Sequence, residues 1–149
     1  MQQVGDLSVS IGYAMKEAAS ALRSAMDDAL RPLDLSVAQY SSLEVLGQQP
    51  GLSAAQLARR TFVTRQSMQG VLAGLAASGL LTRSDAAPQG RALPTELTPA
   101  GRDLLARASR AVADVEARML AGLSAEDRHR LHGDLTRCAE ALRSGRTTG

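Results

Sequence analysis

The sequence predicts a mainly α-helical fold with one small β-hairpin, and three observations carry that prediction. Aliphatic residues recur at three- and four-residue steps along most of the chain, the period of an amphipathic helix. Serine or threonine caps precede these stretches, twice with glutamine three positions on. The turn-rich segment DAAPQGR (85–91) separates two short strand-like runs. Composition agrees. Of 149 residues 44% are hydrophobic but only 2% aromatic, and there is no Trp, so Leu, Val, Ala and Met must build the core. That palette favours helices.

The first helix runs from Leu7 through Ile11, Ala14, Ala18, Leu22 and Met26 to Leu30, and stops before Pro32. Ser36 with Gln39 forms a capping box for the second helix, whose apolar stripe is Val37, Tyr40, Leu43 and Leu46; Pro50-Gly51 breaks it. Ser53 with Gln56 repeats the box for a short third helix that carries Leu57 and Ala58 inward. After the tight connection Arg59–Val63, Thr64 caps a fourth helix that buries Met68, Val71, Leu72 and Leu75. Gly79 suits the left-handed position after that helix, with Leu80 packing back. Leu80–Arg83 and Ala92–Leu97 then pair as a hairpin with an exposed tip. Thr98-Pro99 supplies an N-cap and an N1 proline for a fifth helix, striped by Ala108, Val112, Val115 and Met119. Ser124 caps a sixth, striped by Leu131, Leu135, Cys138 and Leu142, and the tail from Ser144 is short and polar.

Charge is uneven along this order. Residues 1–52 carry a net −3, residues 53–102 a net +4 and residues 103–149 a net +1, within +2 for the chain. A positive middle third is what a polyanion partner requires. The single cysteine, Cys138, excludes an intrachain disulfide and suits a reducing compartment. No basic, apolar leader opens the chain and no apolar run approaches the roughly 20 residues of a membrane span. The expectation is a cytoplasmic protein with no membrane partner. The chain has no phosphate loop, nucleophile elbow, paired zinc-ligand set or cluster of catalytic acids, so no enzyme, no cofactor and no metal site is expected. His129 and His132 stand one helical turn apart and read as solvated polar residues.

Two helices joined by a short turn and followed at once by a hairpin describe a winged helix-turn-helix. The second helix of that unit lies in the major groove and presents its first residues to base edges. Thr64, Arg65, Gln66, Ser67 and Gln69 occupy that start. Arginine pairs bidentately with guanine and glutamine with adenine, each good pair discriminating by about 1–3 kcal/mol. The Thr64 hydroxyl and the first-turn amides suit a phosphate, as does Ser53 at the preceding helix start. Arg83 at the hairpin base can reach a phosphate, and Arg91 at its tip can enter a minor groove.

The stretches LSVAQYSSLEVL, LSAAQLARR, VTRQSMQGVLAGL, SGLLTR and LTPAGRDLL resemble, in order and spacing, the MarR family of bacterial transcription regulators. The resemblance runs from about Leu35 to Leu123, and the flanking helices fit the family plan. It implies one MarR-like domain over 1–149, with a winged-helix lobe at 35–98 and dimerisation helices at 6–31 and 99–143. It further implies a homodimer that grips a pseudo-palindromic double-stranded operator, recognition helix 64–78 in the major groove and wing 83–92 at the minor groove. Many members respond to small aromatic or anionic effectors held between the dimerisation helices and the lobe; Tyr13, Arg23, Met26 and Tyr40 are the matching residues here. The chain departs from the family pattern twice. PQGRA keeps only Arg91 at the wing tip without an acidic partner, and Gly70 and Gly74 stand where side chains are common, permitting close backbone approach or being merely tolerated. Two other readings stay open at this point: a winged helix used for protein contacts, and a redox-responsive regulator using Cys138, although a cysteine on an apolar stripe reads first as a buried thiol.

Overall fold

Caps written in the sequence set where the helices begin. The computed structural model describes residues 5–83 and 95–145. Among these, α1 (Ile11–Leu30), α2 (Val37–Gln48), α3 (Ala54–Thr61) and α4 (Arg65–Ala77) are followed by β1 (Leu81–Arg83), β2 (Thr95–Leu97), α5 (Pro99–Met119) and α6 (Ala125–Ser144). Ser36 and Ser53 both complete capping boxes: each hydroxyl accepts the N–H three residues on, while Gln39 and Gln56 accept the serine N–H at 2.9 Å. Ser124 and Asp127 do the same for α6. The Ser124 N–H, aided by its hydroxyl, holds the Asp127 carboxyl below the usual carboxylate range.

Three boundaries differ from expectation. The third helix runs on through Arg59, Arg60 and Thr61, which were expected in the connection, because cations suit the last turn of a helix and the chain turns only at left-handed Phe62. The first helix begins at Ile11, not Leu7, because Ser10 is extended and its hydroxyl accepts the Tyr13 N–H as an N-cap. Leu7–Val9 form a separate 3-10 turn capped by Asp6. The first strand begins at Leu81, not Leu80, because the Leu80 N–H is already bonded back to the Leu75 carbonyl at 2.9 Å. Residues 92–94 of the expected second strand lie outside the described residues.

Three helical segments close in the same way. Beyond α4, the Leu80–Leu75 bond and a Gly79 N–H to Ala76 carbonyl bond at 3.0 Å make a Schellman close, with Gly79 at φ 75°. Asp34 adopts that backbone at φ 59° after α1 and Phe62 at φ 61° after α3. Aspartate tolerates the left-handed region, but a phenylalanine there is strained by about 1–2 kcal/mol. Phe62 is 83% exposed, so burial offsets none of that cost. Phe62→Gly is expected to raise the thermal midpoint, by roughly 3 °C for each kcal/mol relieved. Calorimetry at fixed protein concentration checks this, and a lowered midpoint would show that the ring holds a stabilising contact.

The chain divides into two compact units, Met1–Val115 and Glu116–Gly149. In the first, Leu30, Tyr40, Leu43 and Leu46 pack with Leu57, Met68, Leu72 and Leu75, and with Leu81, Leu104 and Ala108. Each such leucine contributes about 1.5–3 kcal/mol by leaving water. Val71, expected inside, is only partly buried, since it sits roughly 60° off the Met68–Leu72–Leu75 stripe. Fully buried Ser42 donates to the Ala38 carbonyl at 2.8 Å, which satisfies its hydroxyl.

The hairpin is antiparallel, pairing Leu81 with Leu97, Thr82 with Glu96 and Arg83 with Thr95. Leu52, from the loop between α2 and α3, bridges Thr95 on the other side, and the Gly51 N–H donates to the Thr95 carbonyl at 3.0 Å. Thr98 ties the hairpin root to two helix ends. Its N–H donates to the Leu80 carbonyl at 3.1 Å, its hydroxyl donates to the Gly79 carbonyl at 2.7 Å, and the same oxygen accepts the Gly101 N–H at 3.0 Å.

In the second unit, Arg128 braces the turn before α6 by donating to the Leu120 and Leu123 carbonyls. The helix buries none of its residues, and Leu131, Leu135 and Leu142 are exposed. Cys138 is exposed as well, which corrects the expectation of a buried thiol: its stripe on α6 carries the exposed Leu131, Leu135 and Leu142 rather than a packed core. Among the described residues no helix is long and apolar enough to cross a membrane.

Candidate nucleic-acid interface

The start of α4 is built so that one side anchors and the other side reads. Met68, Leu72 and Leu75 are buried to 1% exposure or less, which fixes the helix on the lobe. The opposite side carries Arg65, Gln66, Ser67 and Gln69, all exposed. Thr64 is extended, and its oxygen accepts the Ser67 N–H at 3.0 Å while its hydroxyl donates to Ser67 Oγ at 2.9 Å. The Thr64 proton is thus spent within the helix end, and Ser67 becomes the hydroxyl free to donate outward. The amides of Arg65 and Gln66 precede the first intrahelical bond, Met68 N–H to Thr64 carbonyl at 3.0 Å. They remain available to an anion at the positive end of the helix.

The last turn of α3, ahead of α4, is basic. Arg59 and Arg60 end α3 and are exposed, with Phe62 projecting beside them. Sequence reasoning missed Phe62. No sequence signal marks it, since a left-handed helix close is announced by Gly or Asn and this one holds an aromatic. Ser53 is half-buried, and its hydroxyl is engaged in the α3 capping box at 3.2 Å. Arg83 is half-buried at the hairpin base and donates through Nη2 to Gln69 Oε1 at 3.3 Å. Its Nε is enclosed without a partner among the described residues. Arg91 lies outside the described residues.

The four expected effector residues are not brought together. Arg23 and Met26 line one open groove with Ala19, Ser20, Leu22 and Val37. Tyr13 lines another with Leu7, Glu17 and Ala21. Tyr40 is buried in the core, 3% exposed, and its hydroxyl donates to Glu44 Oε2 at 2.7 Å. Neither Gly70 nor Gly74 is tightly packed among the described residues: a Cβ at Gly70 meets none of their atoms within 4 Å, and one at Gly74 makes an ordinary contact with the Gln39 amide nitrogen at 3.8 Å.

A capped helix that presents donors and acceptors beside a basic turn and an antiparallel hairpin defines a winged helix-turn-helix protein of the DNA-binding class. Residues 33–92 match the sequence profile of the MarR family. The HTH-type transcriptional repressor Rv2887 of Mycobacterium tuberculosis is 41% identical over 115 residues, 77% of this chain and 83% of that protein. The structure of Rv2887 in complex with salicylic acid has a TM-score of 0.71 at 37% identity, covering 87% of this chain and 96% of that one. The transcriptional repressor CouR bound to a 23-mer DNA duplex has a TM-score of 0.82 at 30% identity, covering 93% and 99%. The chain belongs to the MarR family of transcription regulators.

Proposed function

We propose that this protein is a ligand-responsive, homodimeric transcriptional repressor that reads a pseudo-palindromic operator through α4. The observation that carries the reading is the division of α4 into a buried Met68–Leu72–Leu75 side and an exposed Arg65–Gln66–Ser67–Gln69 side behind a Thr64 cap. Rv2887 is a repressor and CouR binds a DNA duplex, which supports the same work here. Ser53 and the free amides of α4 suit phosphates, which set register, while Arg65, Gln66 and Gln69 suit base edges. Arg91 and the wing complete the grip at the minor groove.

The dimer is supported by the apolar surface left open at both ends of the chain. Val9 and Ile11 are 76% and 72% exposed near the N-terminus, and Leu142 is 78% exposed near the C-terminus. Segments 6–31 and 99–143 supply that surface, and a two-fold axis through it sets half-sites about 34–36 Å apart. Rv2887 binds salicylic acid, an aromatic anion. The groove at Arg23 and Met26 offers this chain a cation beside apolar surface for such an effector, while Tyr13 lines a separate groove and Tyr40 backs the core. Binding there acts by favouring one arrangement of the two lobes over another.

Sedimentation equilibrium at micromolar concentration is expected to give a dimer, and fluorescence anisotropy with DNA flanking the protein's own gene is expected to give saturable, salt-dependent binding. Salicylate is expected to lower that affinity. A monomer, or equal affinity for flanking and scrambled duplexes, would overturn the reading.

A further inference from the structure

The Arg83–Gln69 hydrogen bond joins the base of the hairpin to the base-reading side of α4, two places the chain separates by fourteen residues. Arginine carries donors and no acceptor, so the Gln69 atom facing Nη2 must be the amide oxygen. The amide is thereby oriented: Oε1 is turned to the guanidinium, and the Nε2 amine is left with no partner among the described residues. Arg83 is placed to hold that orientation. Its backbone is paired to fully buried Thr95, and its Nε is enclosed. It does not swing freely as a surface arginine does.

The orientation matters because the two purines present different edges. Adenine offers an acceptor at N7 and a donor at N6, so reading it with glutamine takes both the amide nitrogen and the amide oxygen. Guanine offers two acceptors, N7 and O6, which an amine alone can serve. The Arg83 bond takes one of the two lone pairs of Oε1, so an adenine amine must approach the other beside the guanidinium cation, donor next to donor.

We propose that Arg83 is a positioning residue for base recognition, holding the Gln69 amide so that its amine reads guanine rather than adenine. The proposal rests on α4 being the base-reading helix. It replaces the glutamine–adenine pairing that sequence alone suggests, and it gives the arginine a role distinct from a plain phosphate contact.

Selection of bound sequences from a randomised duplex pool by the full-length protein, followed by anisotropy on single-position variants, tests it. Wild type is expected to select guanine at one position of each half-site, and Gln69→Ala to lose preference there and nowhere else. Arg83→Met keeps the apolar stem and frees the amide, so the guanine-to-adenine affinity ratio at that position is expected to fall about tenfold. Gln69→Glu, an exposed and fold-neutral change, removes the amine and is expected to move the preference to cytosine, whose N4 donates. A wild-type preference for adenine at the Gln69-dependent position overturns the proposal. So does an Arg83→Met variant that binds every duplex more weakly by one common factor, with the salt slope reduced by about 0.9 per half-site, since that is the signature of a phosphate contact. If wild type enriches no sequence at all, it is the DNA-reading function that fails.

Discussion

Gly101→Ala is expected to destabilise the protein by about 3 kcal/mol or more, lowering the thermal midpoint by roughly 10 °C. A Cβ on Gly101 would lie 2.0 Å from the Leu80 carbonyl oxygen and 3.0 Å from its carbon. Those are backbone atoms, and they cannot rotate away as a side chain does. The same carbonyl accepts the Thr98 N–H, and Thr98 in turn caps α5 through the Gly101 N–H. Relief requires α5 to move off the hairpin root, and that movement breaks the Thr98 bonds to both Leu80 and Gly79. Gly70→Ala is the control. Its new methyl meets nothing within 4 Å, and removing a glycine from a helix interior stabilises by up to about 1 kcal/mol. Thermal unfolding of both variants at one protomer concentration should therefore move in opposite directions. An unchanged midpoint in Gly101→Ala would show that the helix start yields at little cost.

That contrast marks the limit of what the sequence displays. Gly70 and Gly74 attract notice because they interrupt a helix where side chains are usual, yet their surroundings are open. Gly101 sits unremarkably in the first turn of α5, and nothing in its neighbours announces that Leu80, twenty-one residues earlier, passes against it. Local devices are legible because their partners are near in the chain: the boxes at Ser36 and Ser53, the Thr64 cap and the Gly79 close all stand as the residues imply. Contacts between distant segments are not. The Leu52–Thr95 bridge and the Arg83–Gln69 bond need the fold before they can be seen. The candidate site divides along the same line. Its reading residues follow from one helix start, whereas the effector residues, chosen from separate helices, spread over two grooves and the core. Cys138 shows a third limit, for an apolar stripe in sequence says that a surface is to be covered but not whether its own chain covers it.

Arg65→Ala is expected to weaken binding to the selected operator at least about 30-fold while leaving the fold intact or slightly firmer. The affinity arithmetic counts each half-site. A good arginine–guanine pair discriminates by about 1–3 kcal/mol, and a two-fold dimer loses it twice, for about 2–6 kcal/mol. The stability arithmetic has the opposite sign. Arg65 is the first residue of α4, where the helix dipole is positive, and among the described residues it forms no ion pair. A cation at that place costs about 0.3–1 kcal/mol, and alanine removes it. A residue kept only for the fold would not be an exposed arginine there. Anisotropy against the selected and a scrambled duplex across a salt series separates the roles. Base reading predicts a loss concentrated on the selected duplex with the salt slope nearly unchanged; a phosphate contact predicts an equal loss on both and a slope smaller by about 0.9 per half-site. Unchanged affinity for the selected duplex, with the thermal midpoint also unchanged, would remove Arg65 from the reading side of α4.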